Sequence, residues 1–210
     1  PREDRATAAF GLSLSNIRVR SEGSFADDRG QWLLSARRGY LDIMLDIVGE
    51  RDLMDPKYFD LFRKLSYKLG AHNSLTLHGL YAGDKLRFTD EDNALSEAHS
   101  SYDNAYAWAT MESELSSSIN VSTLFSLSHL TWNRAGQEYE HRPGRDYEVI
   151  ALTDRRRLSV TGIKQDWHVE FSPRIGMVFG GELRLESADY DYNRRQRLLA
   201  TRNRTVFTLD

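Results

Sequence analysis

The chain has 210 residues, with 28 Lys and Arg against 31 Asp and Glu and a formal net charge of −3, so no basic field marks it for nucleic acid. It contains no cysteine, which removes disulfide staples, thiolate metal sites and a cysteine nucleophile. No apolar run approaches the ~18–20 residues of a transmembrane helix: "GYLDIMLDIVG" is short and carries Asp42 and Asp46.

The opening "PREDRATAAFG" is charged and is not a secretory signal. "FGLSLSNIRVRSEGSF" then alternates as Phe10, Leu12 and Leu14, and shifts phase at Asn16 to Ile17 and Val19. Such a shift predicts a bulge or tight turn. After "ADDRG", the stretch "QWLLSARRGYLDIML" reads as one strand. "YFDLFRKLSYKL" puts Leu61, Leu65, Tyr67 and Leu69 on one face and Asp60, Lys64, Ser66 and Lys68 on the other, with Arg63 misplaced on the apolar side. "NSLTLHGLYAGDKLRF" and "YDNAYAWATMESEL" follow. "INVSTLFSLSHLTW" alternates for about fourteen residues, well beyond the ~5–6 usual in soluble sheets; Ile119, Val121, Thr123, Phe125 and Leu127 oppose Asn120, Ser122, Leu124, Ser126 and Ser128. "RLSVTGIKQDWHVEF" and "RIGMVFGGELRLESADYDY" complete about eight strands, and "RTVFTLD" begins a ninth.

The connections alternate between short ("ADDRG", "GAHN", "SSS", "SPR") and long, charge-rich ones ("VGERDLMDPK", "RFTDEDNALSEAHSS", "NRAGQEYEHRPGRDYE"). That alternation predicts an antiparallel up-and-down transmembrane β-barrel, with short periplasmic turns and long extracellular loops. Pro56, Pro143 and Pro173 are expected to fall in loops, outside strand interiors. No repeat and no composition break divides residues 1–210, so one domain is expected.

A soluble β-sandwich also alternates, burying its apolar face; a membrane barrel turns that face outward. Strand length, the charges on the polar faces, and aromatics near strand ends favour the barrel. Those aromatics are Trp32, Tyr40, Tyr102, Tyr106, Trp108, Trp132, Trp167, Tyr190 and Tyr192, and aromatic girdles are expected at both membrane interfaces.

No catalytic site, cofactor site or metal site is expected. His72, His78, His99, His129, His141 and His168 form no HExxH or His-x-His pair, and His99 and His141 fall in long loops. Ser128 and His129 sit on opposite faces, and no GxSxG elbow is present. Arg155, Arg156 and Arg157 read as a solvated strand end. Asp90, Glu91 and Asp92 lack the Gly and Glu of a calcium loop. Arg37 and Arg38 must point to opposite faces, and one is expected to pair with a carboxylate on a neighbouring strand such as Asp60.

The blocks "LLSARRGYLD", "YFDLFRKLSYKL" and "KQDW", in that order between Phe10 and Tyr192, resemble the barrel region of TonB-dependent outer-membrane receptors. The resemblance implies a cell outer-membrane protein that imports a scarce solute (a siderophore, cobalamin, metal complex or oligosaccharide) without catalysis. Its partners would be membrane lipid and lipopolysaccharide, the small solute cargo, and a TonB energy-coupling complex acting through a plug; nucleic acid is not among them. Family barrels have about two dozen strands. The chain is therefore expected to be a barrel segment without plug or coupling box. The alternative is a complete eight-stranded barrel with a structural or adhesion role, and a soluble all-β binding module comes third. Asp60, Lys64, Ser66, Lys68, Ser122, Ser126, Glu182, Arg184 and Glu186 are the expected polar inner wall. No ligand-binding residue is singled out.

Overall fold

The computed structural model describes residues 6–49, 54–90, 96–142, 145–199 and 206–209. Ten strands form one antiparallel sheet in strict sequence order: β1 (Ala6–Leu12), β2 (Asn16–Phe25), β3 (Gly30–Gly39), β4 (Met54–Lys68), β5 (Asn73–Thr89), β6 (Glu97–Ser116), β7 (Ile119–Arg142), β8 (Arg145–Ser172), β9 (Ile175–Leu199) and β10 (Val206–Leu209). A single helix, α1 (Leu41–Val48), separates β3 from β4. The sheet is open: among the described residues β1 and β10 do not pair with each other. β10 covers β9 over Gln196–Leu199, and among the described residues the Ile175–Arg195 flank of β9 has no neighbour on that side.

Several expectations are corrected. The phase shift before Asn16 is the turn that the pattern allowed, and it divides one expected strand into two; with the ninth stretch as β10 there are ten strands, and Pro56, expected in a loop, lies within β4 opposite Leu86. "QWLLSARRGYLDIML" is not one strand: it breaks at Gly39, and Leu41–Val48 coils into α1. Residues 41–48 alternate imperfectly but also carry apolar groups at helical spacing. Gly49 stops the helix in the left-handed region (φ 82°), where glycine has no Cβ penalty, and its N–H donates to the Asp46 carbonyl at 3.3 Å. Two of the three expected long loops are mostly strand. β7 and β8 run to Arg142 and from Arg145, pairing Arg142 with Arg145, and β5 and β6 pair out to Thr89 and Glu97. Charged residues stay extended here because each backbone group finds a ladder partner while both faces are solvated. His99 and His141 thus belong to β6 and β7, and Arg155–Arg157 lie inside β8.

The strands are long. β7, β8 and β9 have 24, 28 and 25 residues, so β8 extends roughly 95 Å at ~3.4 Å per residue. One end of the sheet carries the short turns 26–29, 69–72, 117–118 and 173–174.

Residues directly opposite in a ladder share a face, so the register assigns every side chain. A front face carries Trp32, Leu65, Leu77, Ala109, Phe125, Ile163 and Leu183 on one rung. Apolar residues dominate it near the short turns: Phe59–Leu69 on β4 and just beyond, Leu75–Tyr81 on β5, Ala105–Met111 on β6, Val121–Leu127 on β7, Ile163–Val169 on β8 and Ile175–Leu185 on β9. Two polar groups within this band satisfy each other, the Gln165 amide donating to the Thr123 hydroxyl at 3.1 Å. Among the described residues nothing covers the band: Phe125 is 44% exposed, Leu127 43% and Phe179 46%, and Val121 is the only buried hydrophobic. The described residues form no second layer and no dry core of the kind a sandwich has.

The band slants across the ladder. The rung of Phe59 passes through Gly83, Asp103, Thr131 and Arg157 to Asp189, yet on β9 the band begins only at Leu185. It has slid four residues over five strands. That is about 13 Å along the strands against about 24 Å across them, an inclination of about 30°.

Gly180 sets the closest backbone approach in the β8–β9 ladder. A Cβ there would lie 2.4 Å from the Gln165 carbonyl oxygen, whereas at Gly181 it would meet open space. Gly180→Ala is expected to cost about 1–3 kcal/mol, as overpacking does, and Gly181→Ala to be near neutral. Urea unfolding midpoints of the two variants check this.

Candidate functional site

The back face carries the opposite parity. Near the short turns it is mainly polar, and all nine expected wall residues fall on it: Asp60, Lys64, Ser66 and Lys68 of β4, Ser122 and Ser126 of β7, and Glu182, Arg184 and Glu186 of β9. Phe62, Leu124 and Val160 interrupt it.

Most of these groups are neutralised locally. Arg37 stands directly opposite Asp60 and donates to its carboxylate through Nε at 2.7 Å and through its terminal nitrogen, the cross-strand pair expected from the sequence. Thr76 donates to Ser66 at 3.2 Å, Ser122 to Glu112 at 2.8 Å, Lys164 meets Asp166 at 2.7 Å, and Arg184 meets Glu182 at 2.5 Å. His78 lies flat on Trp108, with ring centroids 4.5 Å apart and planes 9° apart.

Further from the short turns both faces change character. The front becomes charged: Lys57 and Lys85, Asp103, Arg155 and Arg157, Asp189 and Asp191. The back becomes apolar and aromatic: Leu80, Tyr102, Tyr106, Leu130, Trp132, Leu158, Tyr190 and Tyr192. The aromatics expected at the membrane interfaces divide between the two faces of the sheet. Among the aromatics singled out in the sequence only Trp32 and Trp167 share the front face, Trp167 stacking on Phe179 at 6.1 Å. Tyr40 caps α1 and donates to the Ser13 carbonyl, and the rest belong to the back. Proximity to a strand end does not reveal parity, and parity decides the face.

The densest part of this second zone spans β6 to β9. Arg134 donates to the Tyr102 hydroxyl at 3.0 and 2.7 Å, and Tyr102 meets Trp132 edge-on with centroids 5.7 Å apart. Arg156 lies between two rings, 6.0 Å from the centroid of Trp132 and 5.4 Å from that of Tyr190. Asp154, only 5% exposed, grips Arg156 in a fork with both bonds at 2.8 Å. The bonds from Arg156 hold the Asp154 carboxyl below the usual carboxylate range, with help from the charges of Arg156 and Arg134, and Asp154 raises Arg156 in turn. Leu130, Trp132, Arg156, Arg157, Leu158, Ala188 and Tyr190 line an open cavity of about 110 Å³. Its wall is mostly apolar and Arg156 is already compensated by Asp154, while Tyr190 remains 71% exposed. Such a surface suits contact with a neutral or planar part of a solute and supplies no nucleophile. Sequence reasoning passed over it because Trp132, Arg156 and Tyr190 lie on three different strands; their common even parity is the signal that could have joined them.

The histidines do not converge. His72 meets Glu114 at 3.1 Å, and His129 meets Ser159 at 2.9 Å and Thr131 at 3.4 Å. The His129–Ser159 contact has a hydroxyl where a triad needs an orienting carboxylate. Among the described residues no three His, Asp or Glu side chains could hold a metal ion. Asp90 donates its backbone N–H to the Ser96 carbonyl at 2.9 Å; Glu91 and Asp92 lie outside the described residues.

Comparison with protein-family models, curated proteins and solved structures finds no match for this chain.

Since the Asp154 carboxyl sits low in the folded chain, its contribution is fully present above the ordinary carboxylate value and lost only as pH falls through the depressed one. The near-ultraviolet circular dichroism of the Trp132–Tyr190 cluster should stay flat through pH ~4 and change only below it. Asp154→Asn should show the acid spectrum already at neutral pH.

Proposed function

We propose that this chain is a segment of a transmembrane β-barrel in the outer membrane, of the TonB-dependent receptor kind, that takes part in importing a small scarce solute without catalysis. One observation carries the reading: a continuous, uncovered apolar band on one face of a single-layer sheet, with a mainly polar face behind it. On β4 and β9 the band covers about 11 residues, the length a tilted strand needs to cross the hydrocarbon core. Its slant of about 30° approaches the ~35–45° tilt of barrel strands. In water, the exposure of Phe125, Leu127, Phe179 and Leu183 together would drive aggregation; against lipid it is favourable. No helix among the described residues is long and apolar enough to cross a membrane; in this reading the strands do the crossing.

The inversion of both faces supports the same arrangement. Within the band, apolar groups face hydrocarbon and the Arg37–Asp60, Lys164–Asp166 and Arg184–Glu182 pairs face a wet interior. Beyond it, the charged front faces headgroups and solvent, while the Tyr102–Trp132–Arg156–Tyr190 cluster lines the interior where a solute enters. The receptor kind rests on the resemblance of the "LLSARRGYLD", "YFDLFRKLSYKL" and "KQDW" blocks. The bare flank of β9 fits a larger barrel, since unpaired backbone groups in lipid each cost several kcal/mol and a further strand must satisfy them.

Folding into phospholipid vesicles tests the orientation. Phe125→Arg puts a charge on the front face near mid-band and is expected to cost ~2–4 kcal/mol of folding free energy. Ser122→Arg, facing Glu112 and Asp166 from the back, should stay within about 0.5 kcal/mol. Equal penalties at the two positions, or a fold indifferent to lipid, would refute the proposal.

A further inference from the structure

We propose that α1 is an interfacial anchor that lies along the bilayer surface with its apolar side at the headgroup–acyl boundary; this rests on the membrane reading above. The helix is amphipathic in the reverse of the usual sense. A helix on a water-soluble protein turns its apolar stripe inward and its charges outward. In α1 the buried residue is Asp42, 3% exposed and held by Arg38 at 3.4 Å, while Ile43, Ile47 and Val48 are 49%, 76% and 67% exposed. Around a 3.6-residue turn, Leu41, Ile43, Met44, Leu45, Ile47 and Val48 make one arc, and the two aspartates, Asp42 buried and Asp46 exposed, occupy the remainder.

Position selects the partner. α1 begins three residues after Arg38, whose rung carries Phe59, the last front-face apolar residue of β4 before the charged zone, and β4 is its main packing neighbour. The exposed arc is thereby set at the edge of the apolar band. With eight residues the helix is about 12 Å long, too short to cross a bilayer and suited to lying on one. "LDIMLDIV" contains no basic residue, so attachment comes from apolar burial and not from anionic lipid; it should be insensitive to salt.

The chain has no cysteine, so Ile47→Cys, Val48→Cys and, as a band reference, Leu183→Cys each accept a single nitroxide label. Accessibility to oxygen, which concentrates in hydrocarbon, and to a nickel chelate, which stays in water, is read for the protein folded in phosphatidylcholine vesicles. Labels at 47 and 48 are expected to show an oxygen-to-nickel ratio several-fold above that of a water-exposed site, at a depth shallower than position 183 and unchanged by salt. A water-like ratio at 47 and 48 with a lipid-like ratio at 183 overturns the anchor and leaves the barrel. Exclusion of both reagents at 47 and 48 means that protein covers the helix, and also overturns it. Water-like ratios at all three positions overturn the membrane reading and the anchor together.

Discussion

The ladder register is the constraint on which the molecule depends. Side chains alternate with a period of two, so a slip of one residue in any hairpin would send its whole apolar set to the other face. In this sheet the slip would carry Phe125 and Leu127 behind and bring Ser122 and Ser126 forward. The tight turns hold the phase. Ala26, Asp27 and Asp28 all take left-handed backbone angles at the β2–β3 tip, a conformation aspartate tolerates better than most residues. Irregularities appear only close to turns, between Glu114 and Ser116, Glu138 and Tyr139, and Glu170 and Ser172. The band therefore keeps its parity on every strand from β4 to β9.

Cross-strand chemistry follows from that register. Arg37 and Asp60 meet because they are rung partners; Arg156 is held by a residue two positions away on its own strand, one step along the same face. The same geometry gives Arg63 its place. It belongs to the front, between Leu61 and Leu65, with Leu34 beside it on β3 and Gly79 beside it on β5, and Ala107 next beyond Gly79. The small residues on the β5 side leave lateral room for its aliphatic stem.

Alternation made the middle of each strand legible before any coordinates: Leu61 to Leu69, Ile119 to Leu127 and Ile175 to Leu185 all keep the expected face. What escaped were the places where one local pattern served two conformations. Leu41–Val48 has apolar residues that fit either period, and only the break at Gly39 and the stop at Gly49 resolve it as a helix. The charged ends of β7 and β8 read as loop because polar residues are common in loops, yet backbone pairing does not depend on side-chain polarity. The Trp132–Arg156–Tyr190 stack was invisible for a different reason: it is made by register across three strands, and no linear window contains it.

Each strand bonds only to the one before it and the one after it in the chain. Such a sheet can be laid down one hairpin at a time, with every new segment templated by the free margin of the last and no earlier piece forced to move aside. Its contacts, though numerous, close short stretches of chain, which keeps the entropic cost of each addition low. The sheet is thus one whose order in space is its order of synthesis.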